Sequence, residues 1–376
     1  MLKLFAFVAV FAFAVAACGG DDATTTTAAS GGGDGALPGE GKSITMARAD
    51  WSTGYFQAYI YRALLTELGY DVSDPAELEL GPSLAYLGMA QGDFDFWANS
   101  WYPGHASWHA NEMPDGSVVG DHLTVTGEEL MAGGLQGFLM TKTFADEFGI
   151  TTVDDLNNNA DALAAFDEVD PEPGNGKADI YGCQESYTCD NIIQNIIAFS
   201  GWDNIQQTIA GYDAMAAEAT AKADDGTAML IYTWTPSAYI TTMIPGKNVV
   251  WLGVEEVLDD SNPTGQDGGE SHDQTPGTAN IKADQCPYAA DHDTCQLGWI
   301  AADIQVTANT EWLDSEPAAA KLLELVKVSV IDVSLANVEQ AAGKDSNADI
   351  QGLADAWISL NRGIVDGWIA EATAAG

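Results

Sequence analysis

The chain has 376 residues, 46% of them hydrophobic, and sets 56 acidic against 13 basic side chains for a formal net charge of −43. That length exceeds one ordinary hydrophobic core, so two lobes or domains are expected. So acidic a chain excludes nucleic acid and anionic lipid as docking partners, and dense solvated carboxylates suit a saline milieu in which salt screens their mutual repulsion.

Residues 1–17 read as a targeting segment rather than as part of the fold. Lys3 supplies the positive end, residues 4–14 the apolar stretch, and Val15-Ala16-Ala17 the small-residue cleavage site before Cys18. A cysteine directly after such a site resembles the bacterial lipobox, so cleavage before Cys18 and a lipid on its sulfur are expected. The apolar run is too short to span a bilayer. Residues 18–42 are rich in Gly, Thr, Ala and Asp and offer little to bury, which is the composition of a flexible tether. An anchored, extracytoplasmic protein is the expectation, on a periplasmic or cell-surface membrane.

After the tether, 43–47 is predicted as a strand and 56–68 as a helix, with Ser52 or Thr53 as its cap and Gly69 at its left-handed end. A strand at 77–80, a helix at 84–91 and a strand at 94–98 follow. Alternation of this kind predicts α/β layering with a largely parallel sheet. Residues 137–141 are a strand that carries the chain into a second lobe. There, helices are predicted at 144–148, ended by Gly149, and at 192–199. A strand at 228–234 leads into a helix at 236–243, capped by Thr235 with Pro236 at its first position, and another strand covers 249–252. Residues 259–297, polar and rich in Gly, Asp and Pro, form a surface excursion. A strand at 300–307 returns to the first lobe, and helices at 317–328 and 350–372 finish the chain. The division is therefore 43–137 with 300–376 for lobe 1, and 138–299 for lobe 2. Two α/β lobes joined by two crossovers is the type II, Venus-flytrap architecture of periplasmic binding proteins, in which ligands bind between lobes that close about a hinge.

Beyond Cys18, four cysteines fall into two close pairs, Cys183/Cys189 and Cys286/Cys295. Three pairings are formally possible, and local disulfides are the simplest under oxidising conditions. A zinc site is the alternative, but neither pair has the spacing of a zinc knuckle and no His-x-x-x-His partner is near. The acidic stretch from Asp170 to Asp179 looks like a calcium loop, yet Pro171 and Pro173 occupy positions where oxygen ligands are needed. A plain turn and no metal are the expectation. His109 and His122 have no metal-binding spacing either.

Three aromatics stand where a predicted strand or pinned loop runs into a turn. Trp101 precedes Tyr102-Pro103-Gly104-His105, Tyr187 lies between Cys183 and Cys189, and Trp234 precedes Thr235-Pro236. Rings at strand ends face a cleft more readily than a core, and ring faces attract cations that cannot be hydrogen-bonded. Such a site suits a quaternary ammonium ligand. The remaining tryptophans, Trp97, Trp108, Trp202, Trp251, Trp299, Trp312, Trp357 and Trp368, are assigned to core or interlobe packing.

Six segments in order resemble the glycine betaine/proline betaine-binding proteins of osmoprotectant ABC importers, across essentially the whole mature chain. They are Trp101-Tyr102-Pro103-Gly104-His105; Asn175-Gly176-Lys177-Ala178-Asp179-Ile180-Tyr181-Gly182-Cys183; Tyr232-Thr233-Trp234-Thr235-Pro236; Pro245-Gly246-Lys247-Asn248-Val249-Val250-Trp251-Leu252; Ala318-Ala319-Ala320-Lys321-Leu322; and Asp349-Ile350-Gln351-Gly352. The resemblance implies a three-ring box for a trimethylammonium head, with Trp101 from one lobe and Tyr187 and Trp234 from the other. Tyr187 departs from the Trp usual there. His105 and the backbone N–H groups of Thr188 and Cys189 are implied as partners of the ligand carboxylate. A monomer that presents its closed form to an ABC permease, without cofactor, is the implied mode of action. No nucleophile elbow, His-Glu-x-x-His, phosphate loop or dinucleotide fingerprint points to an enzyme. Choline or carnitine as ligand, or a lipoprotein that senses betaine, are the alternatives.

Overall fold

The computed structural model describes residues 36–185, 187–255 and 278–376, and every element below belongs to the compact unit Leu37–Gly376. The targeting segment, Cys18, most of the tether and residues 259–277 of the excursion lie outside the described residues.

Ten strands build two sheets. They are β1 (Met46–Ala49), β2 (Glu79–Leu80), β3 (Phe96–Tyr102), β4 (Leu123–Gly134), β5 (Gln136–Thr141), β6 (Ala178–Tyr181), β7 (Ile205–Thr208), β8 (Leu230–Trp234), β9 (Val249–Leu252) and β10 (Ala302–Asn309). The first sheet has the order β2-β1-β3-β10-β4 and the second β9-β5-β8-β6-β7. Helices cover both, so the architecture is α/β and bilobed.

The sheets are mixed rather than largely parallel. β1 runs parallel to β2 and β3, but β10 is antiparallel to both β3 and β4. In the second sheet β6 is parallel to β7 and β8, whereas β5 is antiparallel to β8 and β9. The reason is topological. β3 and β8 end at the cleft, with Trp101 and Trp234 near their last residues. β10 and β5 are the strands by which the chain enters a lobe from the hinge, so they start at the cleft and must run the other way. Trp101 accordingly pairs with Ile304 and Trp234 with Gln136.

Two crossings join the lobes. Leu135 alone separates β4 from β5, and Thr235 N–H donates to its carbonyl at 2.9 Å. The second crossing follows β9 and returns through Trp299, which is buried edge-on against Phe138 at 5.1 Å between ring centroids. Gly134 at the first crossing is required by packing: a Cβ there would lie 2.7 Å from the Trp101 ring and 2.9 Å from Ala302. The described end of the excursion folds back on the second lobe, where Trp251 N–H donates to the Gln285 carbonyl at 2.8 Å. Both local disulfides form, Cys183–Cys189 and Cys286–Cys295, with Cα atoms 5.8 and 6.2 Å apart.

Several elements differ from expectation. The first helix spans Tyr55–Glu67 and lacks a side-chain cap, because Ser52–Gly54 forms a 3-10 turn instead; Gly69 takes φ 95° at its other end. The helix after Trp234 is a single turn, Tyr239–Thr242, and the Thr235 hydroxyl donates to the Gly133 carbonyl rather than capping it. The last predicted helix is broken at Asn361 into Asn347–Leu360 and Arg362–Ala375, and Val330–Ala341 precedes it. Trp97 and Trp202 are fully buried, as assigned; Trp312 stacks on Phe96 at 5.8 Å and Trp368 on Trp357 at 6.4 Å.

Candidate functional site

Trp101 stands at the penultimate position of β3, in a run buried on every residue but the last. Its indole N–H donates to Asn99 Oδ1 at 2.8 Å, and the same oxygen receives the Trp51 indole N–H at 3.0 Å. One side-chain amide therefore fixes two rings. Trp51 follows β1 by two residues, a strand end like that of Trp101, yet the sequence reading passed over it.

The facing side comes from the second lobe. Trp234 ends β8 against Tyr212 at 4.5 Å and Tyr239 at 5.5 Å. Tyr187 precedes the helix Thr188–Phe199, in the loop tied by Cys183–Cys189, and meets Trp51 edge to face at 5.2 Å and 70°. Three hydrogen bonds cross the cleft at this point. Trp234 Nε1–H donates to Thr53 Oγ1 at 3.1 Å, Tyr187 O–H to the Asp50 carbonyl at 3.2 Å, and Trp108 Nε1–H to Thr188 Oγ1 at 2.8 Å. The lobes are closed upon one another.

Between them lies a small cavity of about 50 Å³. Trp101, Tyr187, Trp234, His105, Thr188 and Cys189 all line it, so the structure brings the six expected residues together. Trp51, Gln136 and Tyr232 also line it and were not expected. Gln136 opposes Trp234 across the β5–β8 ladder and accepts the Tyr232 hydroxyl at 2.6 Å. Only register reveals that pair; Trp51 was accessible to the strand-end rule already applied to its neighbours.

The polar groups are neutral donors. His105 lies on the 3-10 turn Gly104–Ala110 and is buried, with its ring stacked on Trp97 at 7°. Its Nδ1 accepts the Trp101 backbone N–H at 3.1 Å and faces Tyr86 Oη at 3.1 Å. The proton therefore sits on Nε2. Burial, with His109 nearby, lowers the ring to about 3, so the imidazole is uncharged at neutral pH. Thr188 and Cys189 are the first two residues of a twelve-residue helix, whose early N–H groups lack intrahelical acceptors and carry the positive end of its dipole. Among the described residues, no Lys or Arg lines the cavity. Asp50 borders the rings from outside, its Oδ1 buried without a partner and its carboxyl raised by burial. The arrangement can hold a cationic head among ring faces and an anionic tail on neutral N–H donors. Among the described residues, no group of three or more His, Cys, Asp or Glu side chains is placed to hold a metal, and no helix is long and apolar enough to cross a membrane.

Comparison with known proteins bears on this geometry. The family model for the substrate binding domain of ABC-type glycine betaine transport systems matches residues 42–359. The glycine betaine/proline betaine-binding periplasmic protein of Salmonella typhimurium is 31% identical over 90% of this chain and 92% of its own. Among solved structures, the glycine/betaine/L-proline-binding protein of Borrelia burgdorferi superposes with a TM-score of 0.62 at 11% identity, covering 89% of this chain and 99% of that one. The lactococcal binding protein crystallised closed on glycine betaine gives 0.58 at 15%, covering 87% and 99%. The matched span takes in every strand of both sheets and the whole cavity between them. The chain belongs to the family of substrate-binding domains of ABC-type glycine betaine transport systems.

Proposed function

We propose that this protein captures glycine betaine, or a closely related quaternary ammonium zwitterion, between its lobes and delivers it to an ABC permease. It is a binding protein and not an enzyme. The observation that carries the reading is one cavity lined by aromatic rings from both lobes together with neutral N–H donors. Trp51, Trp101, Tyr187 and Trp234 surround the trimethylammonium head, while His105 Nε2–H and the Thr188 and Cys189 amides take the carboxylate. Each ring over a desolvated ammonium contributes roughly 1–2 kcal/mol, and each charge-assisted hydrogen bond about 1.5–3 kcal/mol. After association and closure, that leaves room for micromolar affinity, about −8 kcal/mol. Ordinary amino acids are rejected because the rings leave their ammonium hydrogens unpaired.

In this reading residues 43–137 and 300–376 move as one lobe and 138–299 as the other. The protein works as a monomer outside the cytoplasm, tethered through 18–42 to a lipid on Cys18. Choline is the second reading, favoured by one observation: Asp50, beside the rings with its Oδ1 buried and without a hydrogen-bond partner, attracts a net cation more than a zwitterion. Titration of glycine betaine, proline betaine, choline, carnitine and ectoine, followed by heat and tryptophan fluorescence, separates them. Betaine binding at least tenfold tighter than choline supports the carboxylate contacts, equal affinities remove them, and turnover of any ligand defeats the reading.

A further inference from the structure

Away from the cleft, the turn that follows the helix Ala160–Asp167 covers two carboxylates that have no counter-charge. Asp170 is 5% and Asp179, on β6, 0% exposed. They face each other within hydrogen-bonding reach. Asp170 Oδ1 accepts the Glu172 N–H at 3.1 Å, but Asp170 Oδ2 and both oxygens of Asp179 have no partner. Pro171 and Pro173 have no N–H to offer them. Asp167 is already occupied, accepting from Gly174 and Asn175 N–H at 2.9 and 3.0 Å. Lys222 is the nearby cation, and its ammonium is directed elsewhere, to the Val169 carbonyl at 2.6 Å and to Glu218 at 3.5 Å. No ion pair reaches Asp170 or Asp179 among the described residues.

Two buried carboxylates in contact are costly unless something neutralises them. One shared proton bridges two of the three open oxygens and leaves a net negative charge inside. A divalent cation satisfies all three and cancels both charges. We propose that Asp170 and Asp179 are the carboxylate ligands of a calcium-class divalent cation, whose shell is completed by neutral oxygens of the exposed turn 172–176 and by water. Oxygen-only donors without His or Cys select a hard ion, and the tolerance of Ca²⁺ for six to eight mixed ligands suits an irregular turn better than the octahedral demand of Mg²⁺. With only two carboxylates the site is weak, in the range of about 0.1–1 mM typical of extracellular modules. The prolines that opposed a metal in the sequence reading lie between the ligands instead of at ligand positions. The site is independent of the ligand assigned to the cleft.

The test uses the full chain, stripped with EDTA, in moderate salt so that surface carboxylates are screened. CaCl₂ is titrated calorimetrically, and thermal unfolding is followed in parallel. A saturable site and a rise in Tm of about 1–3 °C at 5 mM Ca²⁺ are expected. Mg²⁺ should give less, and Asp179→Asn should lose the rise while keeping betaine affinity within twofold. Asp170→Asn makes the same comparison should Asp179→Asn fail to fold. No rise in the native protein overturns the proposal in favour of a shared proton. An equal rise in either variant overturns it in favour of nonspecific binding to the acidic surface.

Discussion

On the wall contributed by the first lobe, polar ring atoms are satisfied from within that lobe: Trp51 and Trp101 share Asn99, and His105 is held by the Trp101 amide and Tyr86. On the wall contributed by the second lobe, the Trp234 indole and the Tyr187 hydroxyl find their partners across the cleft, on Thr53 and Asp50. Apart from Trp108, whose indole N–H reaches Thr188 across the cleft, the first wall is therefore complete before the lobes meet. The second becomes complete only when they do. Intrinsic recognition and closure are thus separable by mutation, the former on the Asn99 side and the latter on the Thr53 side.

The largest expected effect comes from removing a ring. Trp101→Ala or Trp234→Ala should each weaken betaine binding by about 2 kcal/mol or more, measured by titration calorimetry; wild-type affinity in both would end the comparison along with the assignment. Asn99→Leu strips the acceptor from two indoles at once and should weaken binding by about 1–2 kcal/mol. Thr53→Val removes only a partner met on closure. It should cost about 1 kcal/mol, appear in stopped-flow fluorescence as faster dissociation, and leave Tm unchanged. An equal loss of Tm in Thr53→Val and Asn99→Leu would show that the two walls do not differ as described.

The smallest expected effect on binding is that of pH. His105 is held neutral by burial, lowered to about 3 from an ordinary 6.5, so betaine affinity should stay flat from pH 8 to 5. Stability behaves otherwise. The unfolded chain takes up a proton on this ring below 6.5 and the folded one does not. The stability contribution is therefore full above pH 6.5 and is lost as pH falls from there towards 3. Denaturant titrations along that window check the sign, and His105→Asn should flatten that part of the slope.

Much of this was legible beforehand where local chemistry decides. Strand-end aromatics, a Cys-bracketed loop before a helix and a Pro-Gly turn before His105 are local signals, and all six expected residues line one cavity. Trp51 apart, what was missed depends on long-range pairing. Gln136 joins the site because β5 lies in register with β8, and β4, twelve residues long, alternates too weakly between apolar and polar to show its period. The direction of β10 follows from the hinge and not from its composition. Thr53 was one of two cap candidates, with Ser52, a role that competes with side-chain contacts made only in the closed molecule.

A crystal structure of the protein with glycine betaine tests the central claim most directly. The account expects the methyl groups between Trp51, Trp101, Tyr187 and Trp234, and the carboxylate within hydrogen-bond distance of His105 Nε2 and the Thr188 and Cys189 amides. A ligand bound in the reverse orientation, or outside the ring of aromatics, would contradict it.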